Sequence, residues 1–291
     1  MRDPRFPDRR PARATHPRKI RVEAPREEGE RLQKVLADAG VASQRDCEFA
    51  IRAARVRVNG RLVLELPCLV DATRDLIELD GEVVDTRRRS AAKTRERVYL
   101  MLNKPRGVIS TARDPGGRAN VADMVRAAVP AGDRVYPVGR LDADSTGLVL
   151  LTNDGELAHR LAHPSHGVAK EYRVAVQGEL SDAALARLGK GMYLADASRP
   201  EGGAKLARLQ QVRVLKRQRD RRRGDLSLVS ITLHEGQNRE IRRLFARVGI
   251  KVKSLERVAL GTLQLGRLPS GHFRVLRAEE VLALKRAVNL G

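Results

Sequence analysis

The 291-residue chain carries 57 lysines and arginines against 36 aspartates and glutamates, a formal charge of +21, with 42% hydrophobic residues and two cysteines. That hydrophobic share excludes a wholly disordered chain, and the length suits one to three domains of roughly 100–150 residues. No run approaches the ~18 apolar residues that span a bilayer, no apolar leader follows the basic amino terminus, and two cysteines exclude a disulfide framework or a cysteine-built zinc site. The expectation is a cytoplasmic protein whose partner is a polyanion.

Residues 1–29 read as a basic tail: positions 1–26 hold five prolines and nine basic against three acidic residues, without apolar periodicity. From Glu30 the pattern changes. Leu32, Val35, Leu36 and Ala39 recur at helical spacing, and Gly40 supplies a stop. Ser43 can cap a second helix, whose apolar stripe is predicted to be Phe49, Ala50 and Ala53. Val56 and Val58 alternate with arginines before the hairpin signal Asn59-Gly60, and a further strand pair in LIELDGEVV ends near Val84. Residues 30–84 thus predict a small basic module, with Arg45, Arg52 and Arg55 among its exposed cations. Residues 85–97 contain six basic residues and little apolar content, and read as a basic linker.

Over residues 98–289, strand-like runs (VYLMLN, GLVLLT, YRVAV, RLQQVRVL, LSLVSITL, VKSLERVAL) alternate irregularly with helices predicted at 121–128, 155–162, 181–188, 238–248 and 279–288. The fold class predicted is α+β, a small amino-terminal domain followed by a mainly antiparallel β-sheet domain with peripheral helices. Neither GxGxxG nor GxxxxGK[ST] occurs, and no cofactor is expected. The basic run KRQRDRRRG at 216–224 reads as a hairpin loop, either an RNA contact or a solubilising surface. His159, His163 and His166 lack both the glutamate of a zinc-protease helix and an acidic third ligand, so no metal is expected.

The stretch richest in chemistry is GRLDADSTGLVLLTNDG, residues 139–155. Its second half is an apolar strand, so the first half is a loop that delivers Asp142 to the strand's entrance, with Arg140 two residues before and Asp144 two after. Taken alone, Asp142 reads more readily as a cap of the Asp-Ser-Thr-Gly turn; its neighbours Arg140 and Asp144 favour a functional role.

This stretch resembles the signature GRLDxxTxGLLLLTNDG of the RsuA/RluB/RluE/RluF group of pseudouridine synthases. Three other stretches occur in that group's order: NKPRGVIST at 103–111, AKEYRV at 169–174 and EGQNREIRRLF at 235–245. Residues 30–84 resemble the S-four-type RNA-binding domain, with Gln44 where a basic residue is usual after Ser43. The resemblance runs from residue 30 to about 284 and looks closest to the RluB branch. It implies an enzyme that isomerises a uridine of ribosomal RNA, preferably of the large subunit, as a monomer acting on rRNA or a pre-ribosomal particle, with no membrane involved. Such an isomerisation needs no nicotinamide, nucleotide or metal. By resemblance Asp142 is the nucleophile, and Arg242 is the cation that keeps it ionised away from water. Tyr172 packs against the flipped base. Arg45, Arg52, Arg55, Lys104, Arg140, Lys170 and Arg239 are the implied RNA contacts. On the helix of NREIRRLF, Arg242 is expected to turn inward and Arg243 outward. Two other readings use the same residues: a metal-dependent nuclease with Asp142, Asp144 and Asp154 as ligands, and a non-catalytic ribosome-assembly factor.

Overall fold

In a computed structural model, residues 28–86, 96–131, 133–195, 203–219 and 225–290 are described. The basic tail up to residue 27, most of the basic linker and the tip of the loop at 216–224 lie outside the described residues. The chain divides into two units between Glu96 and Arg97. None of its helices among the described residues is long and apolar enough to cross a membrane.

In the smaller unit, β1 (Glu30–Arg31) leads into α1 (Leu32–Asp38) and α2 (Gln44–Arg52). Ser43 caps α2, its Oγ accepting the Asp46 amide at 3.2 Å, which satisfies one of the helix's orphan donors. Helix α2 buries Cys47, Ala50 and Ile51 against Leu32, Val35 and Leu36. The predicted stripe is corrected at Phe49, which is 62% exposed, and at Ala53, which is the exposed C-cap of α2. At about 100° per residue, Phe49 points nearly opposite to Cys47, so its apolar character does not bring it to the core. Strands β2 (Val56–Val58) and β3 (Arg61–Leu62), then β4 (Leu69–Val70), β5 (Ile77–Leu79) and β6 (Glu82–Val83), follow. The sheet order is β3-β2-β5-β6, while β4 pairs with β1. Asn59-Gly60 and Asp80-Gly81 turn the two hairpins with φ from 52° to 86°, the mirror-image turn that matches strand twist.

The larger unit runs β7 (Tyr99–Lys104), α3 (Val121–Met124), β8 (Tyr136–Pro137), β9 (Thr146–Thr152), α4 (Gly155–Ala162), β10 (Lys170–Gln177) and α5 (Asp182–Lys190). It continues through β11 (Met192–Ala195), β12 (Ala204–Ala207), β13 (Gln211–Gln218), β14 (Leu226–Leu233) and α6 (Glu240–Arg247) to β15 (Val252–Leu260), β16 (Leu263–Gln264), β17 (Phe273–Val275) and α7 (Ala278–Ala287). Its main sheet has the order β13-β14-β10-β15-β9-β7-β17, with β16 beside β15 and β8 beside β9, while β11 and β12 form a separate ladder. Pairing is antiparallel except between β9 and β15, so the fold is α+β around a mixed sheet. Strands β7 and β9 are buried on both faces, which is why VYLMLN and GLVLLT are unbroken apolar runs. In contrast, β10 and β14 alternate between buried and less buried positions. Ile241, Leu244 and Phe245 of α6 close one core with Leu100, Leu102, Val149 and Leu151. Leu157 and Leu161 of α4 and Leu284 of α7 close the other with Met101, Leu148 and Leu150.

Candidate active site

Three anchors hold the loop that precedes β9. Ser110 Oγ donates to the Leu141 carbonyl at 3.0 Å and accepts its amide at 3.1 Å. The Gly107 amide donates to the Ala143 carbonyl at 2.7 Å. At the far side, Gly147 has φ of 103°, and a Cβ there would stand 2.3 Å from the Arg257 carbonyl oxygen. Only glycine allows β9 to meet β15 at this point. The NKPRG stretch therefore braces the aspartate loop from one side and β15 fixes it from the other.

On this loop Asp142 and Asp144 face two arginines of the third motif. Arg239 Nη1 lies 3.3 Å from Asp142 Oδ2 and 3.2 Å from Asp144 Oδ1, while its Nη2 donates to Asp144 Oδ2 at 3.2 Å. Arg242 is turned inward, its side chain only 14% exposed, and Nη2 pairs with Asp144 Oδ2 at 3.2 Å. The same Nη2 lies 3.4 Å from the Asp144 carbonyl, and Nη1 reaches the Val252 carbonyl at 3.4 Å. Asp144 is thus the hub: burial opposes its ionisation, but Arg239 and Arg242 outweigh it and hold the carboxyl below its usual range. The cation touching Asp142 is Arg239, not Arg242, and Asp142 Oδ1 accepts no hydrogen bond among the described residues. Arg239 sits at the N-cap of α6 with φ of 49° and ψ of 33°. This left-handed conformation is disfavoured for a side-chain-bearing residue by roughly 1–2 kcal/mol, and it starts α6 later than the helix predicted from residue 238.

Other residues singled out in the sequence fall in two groups. Lys104 and Lys170 are buried, not presented to solvent. Lys104 Nζ donates to the carbonyls of Pro105, Val108 and Ala143 at 3.0, 2.7 and 3.4 Å. Burial pushes its ammonium down to about 8, with Asp144 and Asp142 pulling the other way. Lys170 donates to the carbonyls of Val168 and His234, and burial, then Arg257, lowers it. Both are internal braces in place of the exposed phosphate contacts expected of them. Arg55 is likewise engaged, its Nε 2.8 Å from Asp80 Oδ1 and its Nη2 on Oδ2. Arg45, Arg52 and Arg140 are exposed. Arg243, expected outward, is half-buried and holds the Ala195 carbonyl of β11 at 2.5 Å.

Tyr172 is buried on β10, opposite Ile231 on one side and Arg257 on the other. It shares a core with Leu141 and Ile241, the chain neighbours of Asp142 and Arg242, and its hydroxyl has no partner among the described residues. Sequence reasoning missed Arg257. It is 1% exposed, its Nε donates to the Leu148 carbonyl at 2.7 Å, and its Nη2 has no partner. The available signal was phase: Leu255 and Arg257 are two apart on a strand, so a buried Leu255 places the arginine on the packed face. Ser145 Oγ, Gln237 Nε2 and Arg242 Nε are also buried without a protein partner. Among the described residues of this unit, every such atom lies on the aspartate loop, the third motif or β15. An unmet buried donor costs about 1–3 kcal/mol, so these groups are poised for polar ligand atoms.

Asp154, one of the suggested nuclease ligands, lies beyond the other end of β9 from Asp142; seven strand residues span roughly 20 Å. It caps α4 through the Leu157 amide and accepts the Tyr99 hydroxyl at 2.8 Å. Among the described residues no group of three or more histidines, cysteines, aspartates or glutamates could hold a metal ion. His163 instead caps its own turn, with Nδ1 2.7 Å from Ser165 Oγ.

The sequence profile of the RNA pseudouridylate synthase family matches residues 98–247, the span from β7 through α6 that contains the aspartate loop, Tyr172 and the third motif, while β15 lies beyond it. The chain belongs to that family. This pseudouridylate synthase is 41% identical over 264 residues to an uncharacterized RNA pseudouridine synthase of Mycobacterium tuberculosis, covering 90% of this chain and 95% of that protein. It is 40% identical over 262 residues to the ribosomal large subunit pseudouridine synthase B of Bacillus subtilis, covering 90% and 98%. A crystal structure of a pseudouridylate synthase superposes with a TM-score of 0.55 at 29% identity, covering 87% of this chain and 99% of that one. The chain is therefore an enzyme, a pseudouridine synthase acting on RNA.

Proposed function

We propose that this synthase isomerises one uridine of large-subunit ribosomal RNA, as a member of the RluB branch, with Asp142 as the nucleophile and the smaller unit acting as an S-four-type RNA-binding domain. The observation that carries the assignment of Asp142 is its free oxygen. Arg239 Nη1 lies 3.3 Å from Oδ2, while Oδ1 remains available to the anomeric carbon. The large-subunit target is supported by the name and 40% identity of the Bacillus subtilis relative, matched along 98% of its length.

The bond between ribose C1′ and uracil N1 breaks, the base turns, and C5 joins C1′. The proton on C5 is lost and one is gained at N1, so the atoms balance without a cofactor. Asp142 assists at C1′, either by adding to it or by promoting a glycal. Asp144 is a positioning residue that keeps both guanidiniums beside the nucleophile, and the lysine inside the NKPRG turn braces the loop beneath it. Tyr172 packs against the base once it has left its stack, a displacement that costs a few kcal/mol and that protein contacts must offset.

The test is to map pseudouridines in rRNA as carbodiimide-dependent reverse-transcription stops, after treatment with the wild-type protein and with Asp142→Asn. One stop present with the wild type and absent with the variant is expected, and it identifies the substrate. If no stop depends on the wild-type protein, the rRNA assignment fails.

A further inference from the structure

The smaller unit carries a surface that neither its core nor the isomerisation uses. Arg45, Phe49 and Arg52 stand at i, i+4 and i+7 on α2, which at about 100° per residue places them on one crest of the helix. Phe49 is 62% exposed, both arginines are exposed, and neither guanidinium has a partner among the described residues. Nearby Arg55 differs, being tied to Asp80. The chain has four phenylalanines, four tyrosines and no tryptophan; among the described residues Phe49 and Tyr193 are the two exposed rings, and only Phe49 is a phenylalanine with no polar atom to face water. A lone exposed apolar side chain needs no explanation by itself; what distinguishes Phe49 is its place between two exposed arginines on one crest.

We infer that this crest is a stacking platform for an unpaired base of the bound RNA, with Arg45 and Arg52 neutralising the phosphates on either side of it. A phenyl ring offers a sequence-tolerant face to a base, and flanking arginines supply the charge that a polynucleotide backbone requires. An apolar protein partner fits less well, since it would cover two guanidiniums without bringing them a counter-charge. A continuous duplex offers no free base face. The inference rests on the reading of the chain as an rRNA-directed enzyme, and it adds a contact outside the reacting site.

Because the chain lacks tryptophan, Phe49→Trp installs a single fluorophore on the crest. Titrated with an in-vitro transcript of large-subunit rRNA, this variant binds like the wild type and its fluorescence is quenched as the complex saturates. Phe49→Leu, apolar but without a ring, melts at the wild-type temperature and binds the transcript roughly 5- to 100-fold more weakly. A fully paired RNA duplex of random sequence shows neither effect. Wild-type affinity for the transcript in Phe49→Leu, an indole signal unmoved at saturation, or equal weakening on duplex and transcript overturns the proposal. So does quenching that follows protein concentration without RNA, which identifies a second copy as the occupant. A wild-type protein that binds no transcript at all removes the rRNA reading itself, a different failure from losing the platform while binding persists.

Discussion

Asp142 and Asp144 are two residues apart on one loop, yet their surroundings divide the work between them. Asp144 receives both guanidiniums, while Asp142 shares a single Nη1 at 3.3 Å. A carboxylate engaged on both oxygens makes a poor nucleophile, so by taking up both guanidiniums Asp144 leaves one oxygen of its neighbour free. Asp144→Asn keeps an acceptor oxygen but releases the two arginines to close on Asp142. It is expected to lower kcat about 10- to 100-fold while the Kd for RNA stays within about twofold. If Asp144 acts through Arg239, adding Arg239→Ala to this variant brings little further loss; fully additive losses would reject the coupling. The sequence displayed both carboxylates and Arg239, Arg242 and Arg243, and the inward turn expected of Arg242 agrees with its 14% side-chain exposure. It could not say which carboxylate each arginine meets, because that depends on how far the α6 N-terminus reaches across the loop. Lys104 and Lys170 were illegible for a related reason. A lysine is usually solvated, and only the carbonyls gathered around each ammonium reveal that these two are not.

At the scale of elements, periodicity carried most of the fold. Helices predicted at 155–162, 181–188 and 279–288 match α4, α5 and α7 to within two residues at each end, since an amphipathic stripe marks each of them and Asp154 and Ser181 cap the first two. Where α2 went wrong, the error was rotational: the helix was located, but Phe49 was assigned to the buried face by its chemistry alone. The parallel contact of β9 with β15 was invisible in the sequence, although its signature was present as Gly147. Glu256 and Arg257 run beside Thr146 and Gly147, with no room for a side chain on Gly147. Gly147→Ala must therefore separate the two strands or shift the aspartate loop. Unfolding in urea is expected to show a loss of at least ~3 kcal/mol, with activity falling even below the transition. A variant as stable and active as the wild type would mean that the close approach is not required.

For the whole molecule, the charge of +21 separates by location. Residues 1–26 hold nine basic against three acidic residues, and residues 86–97 and 216–223 each hold six against one. Most of the excess thus lies at the amino terminus, in the connector and in one loop. Around the aspartate loop, by contrast, Lys104, Arg239 and Arg242 are engaged with carboxylates and carbonyls, and only Arg140 stands exposed among the cations singled out there. Long-range attraction and local chemistry are consequently assigned to different basic residues, and they should respond differently to salt. Binding that neutralises Z phosphates weakens with a slope near −0.7Z for single strands and −0.9Z for duplex in log affinity against log salt. Deleting residues 1–27 removes nine cations, so it is expected to flatten that slope by up to about six. Affinity falls most at low salt and converges on the wild type as salt rises, while kcat at saturating RNA stays within about twofold. An unchanged slope would show that the tail does not touch RNA. A loss of kcat at saturation would instead make the tail part of the catalytic complex, because screening weakens a long-range attraction without altering the chemistry at a uridine already bound.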